Sequence, residues 1–177
     1  MIFGACKETL KLGAQIINDI WGLQGDPDMA SVVARYDVPV VIMHNQDGTR
    51  YDRDIMSCIN DFLQKSMQIG LEAGIHADNF ILDPGIGFGK TPQQNIAVMA
   101  RLEEMQSLGC PVLLGTSRKR FIGEVLDLPV EDRVEGTAAT VALGIAKGVN
   151  IVRVHDVKAI ARMAKMTDVL LGGKNNE

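Results

Sequence analysis

The chain has 177 residues, 46% hydrophobic and 23% charged, with a formal net charge of −4. That length buries a sizeable core and reads as one domain over 1–177. The mildly acidic balance gives no basic field for nucleic acid, no apolar run reaches the roughly 18 to 20 residues that cross a bilayer, and Met1-Ile2-Phe3-Gly4-Ala5 lacks a signal peptide's charged start, so cytoplasm is the expected compartment.

Cys6 to Gly13 reads as a helix ahead of the first strand. Five apolar runs then follow, each ending in polar or charged side chains: Ile16-Ile17-Asn18-Asp19, Val40-Val41-Ile42-Met43-His44-Asn45, Ile81-Leu82-Asp83, Leu113-Leu114-Gly115-Thr116-Ser117 and Ile151-Val152-Arg153-Val154-His155-Asp156. Roughly 25 to 40 residues separate them, room for a loop, a helix and another buried strand, which predicts alternating βα units on a parallel sheet. Ligands bind such sheets where the strands end. A closed eightfold βα barrel takes about 250 residues, so the chain is expected to hold part of one, with an amino-terminal portion absent.

Between the runs, Asp26-Pro27-Asp28 is expected to open a helix with Asp26 as N-cap and Pro27 first, and the chain turns at Asp37. Asp52 to Ala73 predicts a long helix with Ile55, Ile59, Phe62 and Met67 on one stripe, stopped by Gly74. Pro92 to Leu108 predicts another, with Ile96, Met99 and Leu102 inward and Gly109 closing it. Val134, Ala138, Val141 and Ile145 mark the next, and Val157, Ile160, Ala161 and Ala164 the last. Cys6, Cys58 and Cys110 are odd in number and form no CxxC pair, so they read as reduced thiols, without disulfide or zinc.

Gly85-Ile86-Gly87-Phe88-Gly89-Lys90-Thr91 imitates a phosphate-binding loop, but Pro84 stands where that motif needs its first glycine, and the third glycine comes too early for GxGxxG. Thr91-Pro92-Gln93-Gln94 fits a capping box. What remains informative is Asp83 at a strand end, before a glycine turn that lets a ligand approach the backbone. Arg118-Lys119-Arg120 puts three cations after a strand at the start of a helix, either an anion site or a solvated basic turn. Arg153 and His155, two residues apart on one face of the last strand, favour the anion, since barrels often bind phosphate after their last two strands. Asn18-Asp19 and Met43-His44-Asn45 bring donors and acceptors suited to a planar heterocycle. Asp19 and Asn45 serve equally well as caps, so Asn18 and Asp83 are the first candidates. His76 is expected on the surface.

The strings Ile17-Asn18-Asp19-Ile20-Trp21-Gly22, Leu82-Asp83-Pro84-Gly85-Ile86-Gly87-Phe88-Gly89-Lys90, Thr116-Ser117-Arg118-Lys119-Arg120, Glu135-Gly136-Thr137-Ala138-Ala139 and Arg153-Val154-His155-Asp156 together resemble the dihydropteroate synthases of folate biosynthesis. The resemblance implies a (β/α)8 barrel of which this chain holds a part, its strands corresponding to the family's fourth to eighth. It implies a transferase in which the amine of p-aminobenzoate displaces pyrophosphate from a dihydropterin pyrophosphate, with Mg2+ bound mainly through that pyrophosphate. A homodimer and sensitivity to sulfonamides belong to the same picture. Carried over by position, Asn18, Ile20, Met43, Asp83, Gly115, Lys119 and Arg153 would bind the pterin, and Phe88 and Lys119 would border p-aminobenzoate. Arg153 and His155 would hold pyrophosphate, making Lys119, Arg153 and His155 the catalytic set, with no metal ligand from the chain itself. The family's Asn near Mg2+, its Thr-Arg-Pro loop and a further pterin-binding Asp have no counterpart here, so low activity of the isolated chain is expected. The alternatives are a non-catalytic pterin-binding remnant and a methyltetrahydrofolate methyltransferase type. The latter releases no pyrophosphate, and the cationic clusters argue against it.

Overall fold

The computed structural model describes residues 2–172. A leading helix α1 (Ile2–Lys11) is followed by strands β1 (Ile17–Asp19), β2 (Val40–Met43), β3 (Phe80–Asp83), β4 (Leu113–Leu114) and β5 (Ile151–Val152). Helices α2 (Met29–Tyr36), α3 (Ile55–Glu72) and α4 (Pro92–Ala100) fill the first three gaps, α5 (Arg120–Leu126) and α6 (Val134–Ala146) share the fourth, and α7 (Val157–Leu170) ends the described chain. The sequence pattern foresees this alternation, and the helix expected to open at the three cations after β4 is α5. Every described strand pairing is parallel: β1 with β2, β2 with β3, and β4 with β5. Between β3 and β4 there is one bridge, Leu82 to Val112, with Leu82 N–H donating to the Pro111 carbonyl at 2.8 Å. Among the described residues the sheet is therefore open and no barrel closes.

All four residues of β2 and of β3 are buried, as expected of parallel strands covered on both faces. Val40, Ile42, Phe80 and Leu82 join the main core with Met56, Ile59 and Leu63 of α3. Val41, Ile81 and Leu113 form a separate cluster on the other face of the sheet. Side chains alternate, so Met43, Asp83, Gly115 and Arg153 fall on that second face, just past the strands' carboxyl ends.

Several local expectations need correction. Helix α2 starts at Met29 with Asp28, not Asp26, as N-cap. Asp26 instead begins a turn with Pro27 second: Met29 N–H donates to the Asp26 carbonyl and Asp28 N–H to its carboxylate. The fully buried stripe of α3 is Met56, Ile59, Leu63, Ser66 and Gly70, flanked by the half-buried Ile55, Phe62 and Met67. The helix predicted from Pro92 to Leu108 breaks at Arg101 and continues as a 3₁₀ helix, Leu102–Leu108. Leu102, Met105 and Leu108 are three apart, and three residues per turn puts them on one face. Ile96 is 45% exposed, and Val157 of α7 is 63% exposed, leaving Ile160 as that helix's buried residue. β5 stops at Val152, so Arg153 and His155 lie past the strand. The capping box is present in both directions: Thr91 Oγ1 accepts from Gln94 N–H, and Gln94 Oε1 accepts from Thr91 N–H. No described helix is long and apolar enough to cross a membrane. The three cysteines are free thiols, Cys6 buried and Cys58 and Cys110 half-buried.

Candidate active site

Asp83 ends β3 with 2% of its surface exposed, and its Oδ1 accepts the Gly85 N–H at 2.7 Å. Burial pushes this carboxyl up, while that N–H and the positive charges of Arg153, Lys119 and Lys90 pull it back. The glycine turn that follows is forced by crowding, because Gly85 has φ +69° and a Cβ there would collide with the His44 carbonyl. Gly87 is pinned from below by Asn95 of α4, whose Oδ1 accepts its N–H at 2.7 Å.

Beside Asp83 lies a cavity of about 360 Å³ lined by Gly115, Ser117, Lys119, Arg153, Val154 and His155. The Arg153 guanidinium lies against Gly115, where a Cβ would come within 3.3 Å of Nη2. Lys119 Nζ stands 4.3 Å from the centroid of the Phe88 ring, a cation–π contact at the edge of the glycine turn. Burial lowers the Lys119 pKa, Asp83 draws it up again, and Arg153 lowers it. His155 is oriented by Ser117, whose Oγ accepts the His155 backbone N–H at 3.1 Å and lies 2.9 Å from Nδ1. Lys119, Arg153 and His155 thus line a single concave space, with the Asp83 carboxylate buried beside it.

Of the predicted residues, Gly115, Lys119, Arg153 and His155 line this cavity, Asp83 and Phe88 adjoin it, and Met43 sits in register with Asp83. Asn18 is exposed on the same sheet face, in register with Val41, and Ile20 is 39% exposed; neither lines the cavity. Asp19 heads a turn and caps no helix: its carboxylate accepts from Trp21 N–H at 3.1 Å and Leu23 N–H at 2.7 Å. Asn45 likewise accepts from Gln46 N–H at 2.9 Å. His76 is exposed, as expected.

The run of three cations does not act as a unit. Arg118 has φ +57° and makes a bidentate pair with Asp156, at 3.0 and 2.7 Å, while Arg120 is exposed and bonded to Glu124. Only Lys119 of the three lines the cavity beside Asp83. Sequence reasoning missed what holds this loop: Thr137 Oγ1 accepts the Arg118 N–H at 3.0 Å, and Arg133 Nη1 donates to the Arg118 carbonyl at 3.1 Å. It also missed Ser117 and Asn95. Ser117 lies inside the recognised string, but its partner is 38 residues away.

No group of three or more His, Cys, Asp or Glu side chains stands together as a metal site among the described residues. Asp83, the carboxylate beside the cavity, is held among cations. This donor set does not suit Mg2+. A second cavity of about 370 Å³, on the outer face against Ile96, Phe121, Ile122, Val125 and Leu143, is apolar and offers no reacting group.

Residues 3–155 match the model of a family described as pterin binding enzyme. The chain is 60% identical to the dihydropteroate synthase of Bacillus subtilis over 93% of its own length and 57% of that protein's. Its fold superposes with a TM-score of 0.93 on the Clostridium difficile dihydropteroate synthase solved in the presence of pteroic acid, at 52% identity, covering 94% of this chain and 64% of that one. For the Thermus thermophilus enzyme in complex with 6HMPPP the TM-score is 0.89 at 39% identity, covering 96% and 69%. The chain thus spans about three fifths of the length of the curated relatives it matches. A family model that runs over most of the described residues, and a fold shared with solved enzymes far above chance identity, lead to one conclusion: the chain belongs to the pterin-binding enzymes, in the dihydropteroate synthase branch.

Proposed function

We propose that this site takes part in the condensation of p-aminobenzoate with a dihydropterin pyrophosphate, releasing pyrophosphate, as a segment of a (β/α)8 barrel whose fourth to eighth strands are β1 to β5. The observation that carries the reading is that Lys119, Arg153 and His155 line one cavity while the buried Asp83 beside it feels the charges of Lys119 and Arg153. A buried carboxylate can take two N–H bonds from the aminopyrimidine edge of a pterin, and Lys119 can donate to its ring. Arg153 stacks on the ring and, with His155, faces the leaving group. The amine nitrogen attacks the methylene carbon, the carbon–oxygen bond breaks, its electron pair leaves on pyrophosphate, and the amine gives up a proton. Fixed cations favour that charge as it develops. Phe88 and Lys119 border the p-aminobenzoate side, and Met43 and Gly115 supply the pocket's floor. Asn18 and Ile20 belong to the pterin side in this reading, reached by a ligand that extends past Met43.

Related enzymes solved with pteroic acid and with 6HMPPP support the substrate class. Mg2+ would enter with the pyrophosphate and not through a site of this chain. The homodimer is part of the same reading, and sedimentation equilibrium decides between one copy and two. Turnover tests the reaction: the purified chain, given both substrates, should release pyrophosphate and form dihydropteroate above a no-protein control. Pterin binding without turnover would leave the binding-only alternative standing and refute catalysis by this chain.

A narrower expectation concerns the anion. If Arg153, His155 and Lys119 converge on pyrophosphate, its affinity should weaken with added salt and drop about tenfold or more in Arg153→Gln, because a charge-assisted, bidentate contact is lost. Salt-independent binding measured by calorimetry would move Arg153 out of the site.

A further inference from the structure

Lys90 ends the glycine turn where a phosphate-loop lysine would stand, yet only 8% of the residue is exposed. Its Nζ lies 3.0 Å from the Gly85 carbonyl, 3.1 Å from the Phe88 carbonyl and 2.9 Å from His44 Nδ1. An ammonium has three protons and no lone pair, so three acceptors use it completely and leave nothing for a ligand. Nδ1 of His44 then has to accept, which fixes the ring as the Nε2–H tautomer. That ring is held in turn, stacked 6.0 Å from Tyr51 and edge-on 5.0 Å from Phe62. The other charged groups facing Lys90 are Asp83, at the end of β3, and Lys119, after β4.

The bonds tie both ends of one turn to the end of a different strand. The Gly85 carbonyl receives Phe88 N–H as well as Lys90, so the turn closes on itself at the point where the ammonium grips it. We propose that Lys90 is a positioning residue: braced on His44, it locks Gly85 to Gly89 in one conformation and so keeps Phe88 beneath Lys119, on the p-aminobenzoate side of the site. This rests on the reading of the site given above. Burial lowers Lys90 to about 7 and, with the charge of Lys90, lowers His44 to about 3, so at pH 6 an ammonium meets a neutral imidazole, as the bonds require.

Nuclear magnetic resonance of the full ¹⁵N-labelled chain at pH 6 tests it without turnover. The wild-type ring of His44 should show Nε2–H and a bare Nδ1, and a protonated Nδ1 overturns the proposal. Lys90→Met keeps the stem and removes all three donors. In it the Phe88 amide should exchange about tenfold faster or more, while amides of β2 and α3 keep their protection. Pteroic acid, titrated calorimetrically, should bind about tenfold more weakly. Wild-type exchange at Phe88, or faster exchange with unchanged pteroic acid affinity, overturns the positioning role. If pteroic acid fails to bind the wild type, the substrate reading fails, while tautomer and exchange still decide what Lys90 does. Should Lys90→Met not fold, the wild-type tautomer decides alone.

Discussion

Lowering the pH from 6.5 to about 3 is expected to remove on the order of 5 kcal/mol of folding stability through His44. Burial, and then the charge of Lys90, keep the folded imidazole neutral down to about pH 3, whereas an unfolded histidine takes its proton near 6.5. Throughout that window the unfolded state binds the extra proton, so stability falls as the pH falls, by about 1.4 kcal/mol for each tenfold rise in acidity. Lys90 acts with the same sign at higher pH. Burial lowers its folded value from 10.5 to about 7, so its contribution is lost as the pH falls from 10.5 to 7 and is flat below. The buried pair therefore orders a loop at a cost to the fold. Urea unfolding of the wild type and of His44→Gln at pH 7, 5.5 and 4 checks the assignment. The variant should lose less stability on acidification, and parallel curves would show that His44 is not the responsible group.

Replacing Asp83 by Ala should weaken a pterin analogue by about 10- to 100-fold, the loss of a buried charged hydrogen bond worth roughly 1.5 to 3 kcal/mol. The substitution should not unfold the chain, because the carboxylate's one backbone bond, to Gly85 N–H, is local to the turn. Asp83→Asn separates shape from charge. It can still accept the Gly85 bond, but its amide cannot receive two N–H groups, so it should bind weakly too. Calorimetric titration with 6-hydroxymethylpterin gives the answer. Unchanged affinity in both variants would exclude Asp83 as the anchor.

The contrast between Asp83 and Arg118 shows what could be read in the sequence. Asp83 closes an apolar run, and a strand buried on both faces puts whatever follows it at the edge where ligands bind. The same logic located Lys119, Arg153 and His155. It could not separate Lys119 from its neighbours, because that depends on a left-handed residue at Arg118 and on Asp156, 38 residues further on. His44 with Lys90 was hidden for the same reason: the partners are 46 residues apart, and each alone looks like a strand-end polar residue or a motif that fails to match. Helix boundaries went astray where a local competitor was stronger than periodicity, as in the turn that Asp26 and Pro27 build before α2.

The sheet is joined between β3 and β4 by a single bridge, whereas β2 and β3 share four residue pairs in register. Asp83 stands on one side of that seam, with Gly115, Lys119 and Arg153 on the other. A molecule bound to both sides would act as a rivet, stabilising the joined halves by an amount that grows with its free concentration relative to Kd. Affinity for such a ligand and the cohesion of the seam would then be linked, and a substitution that loosens the β3–β4 junction would be felt as weaker binding.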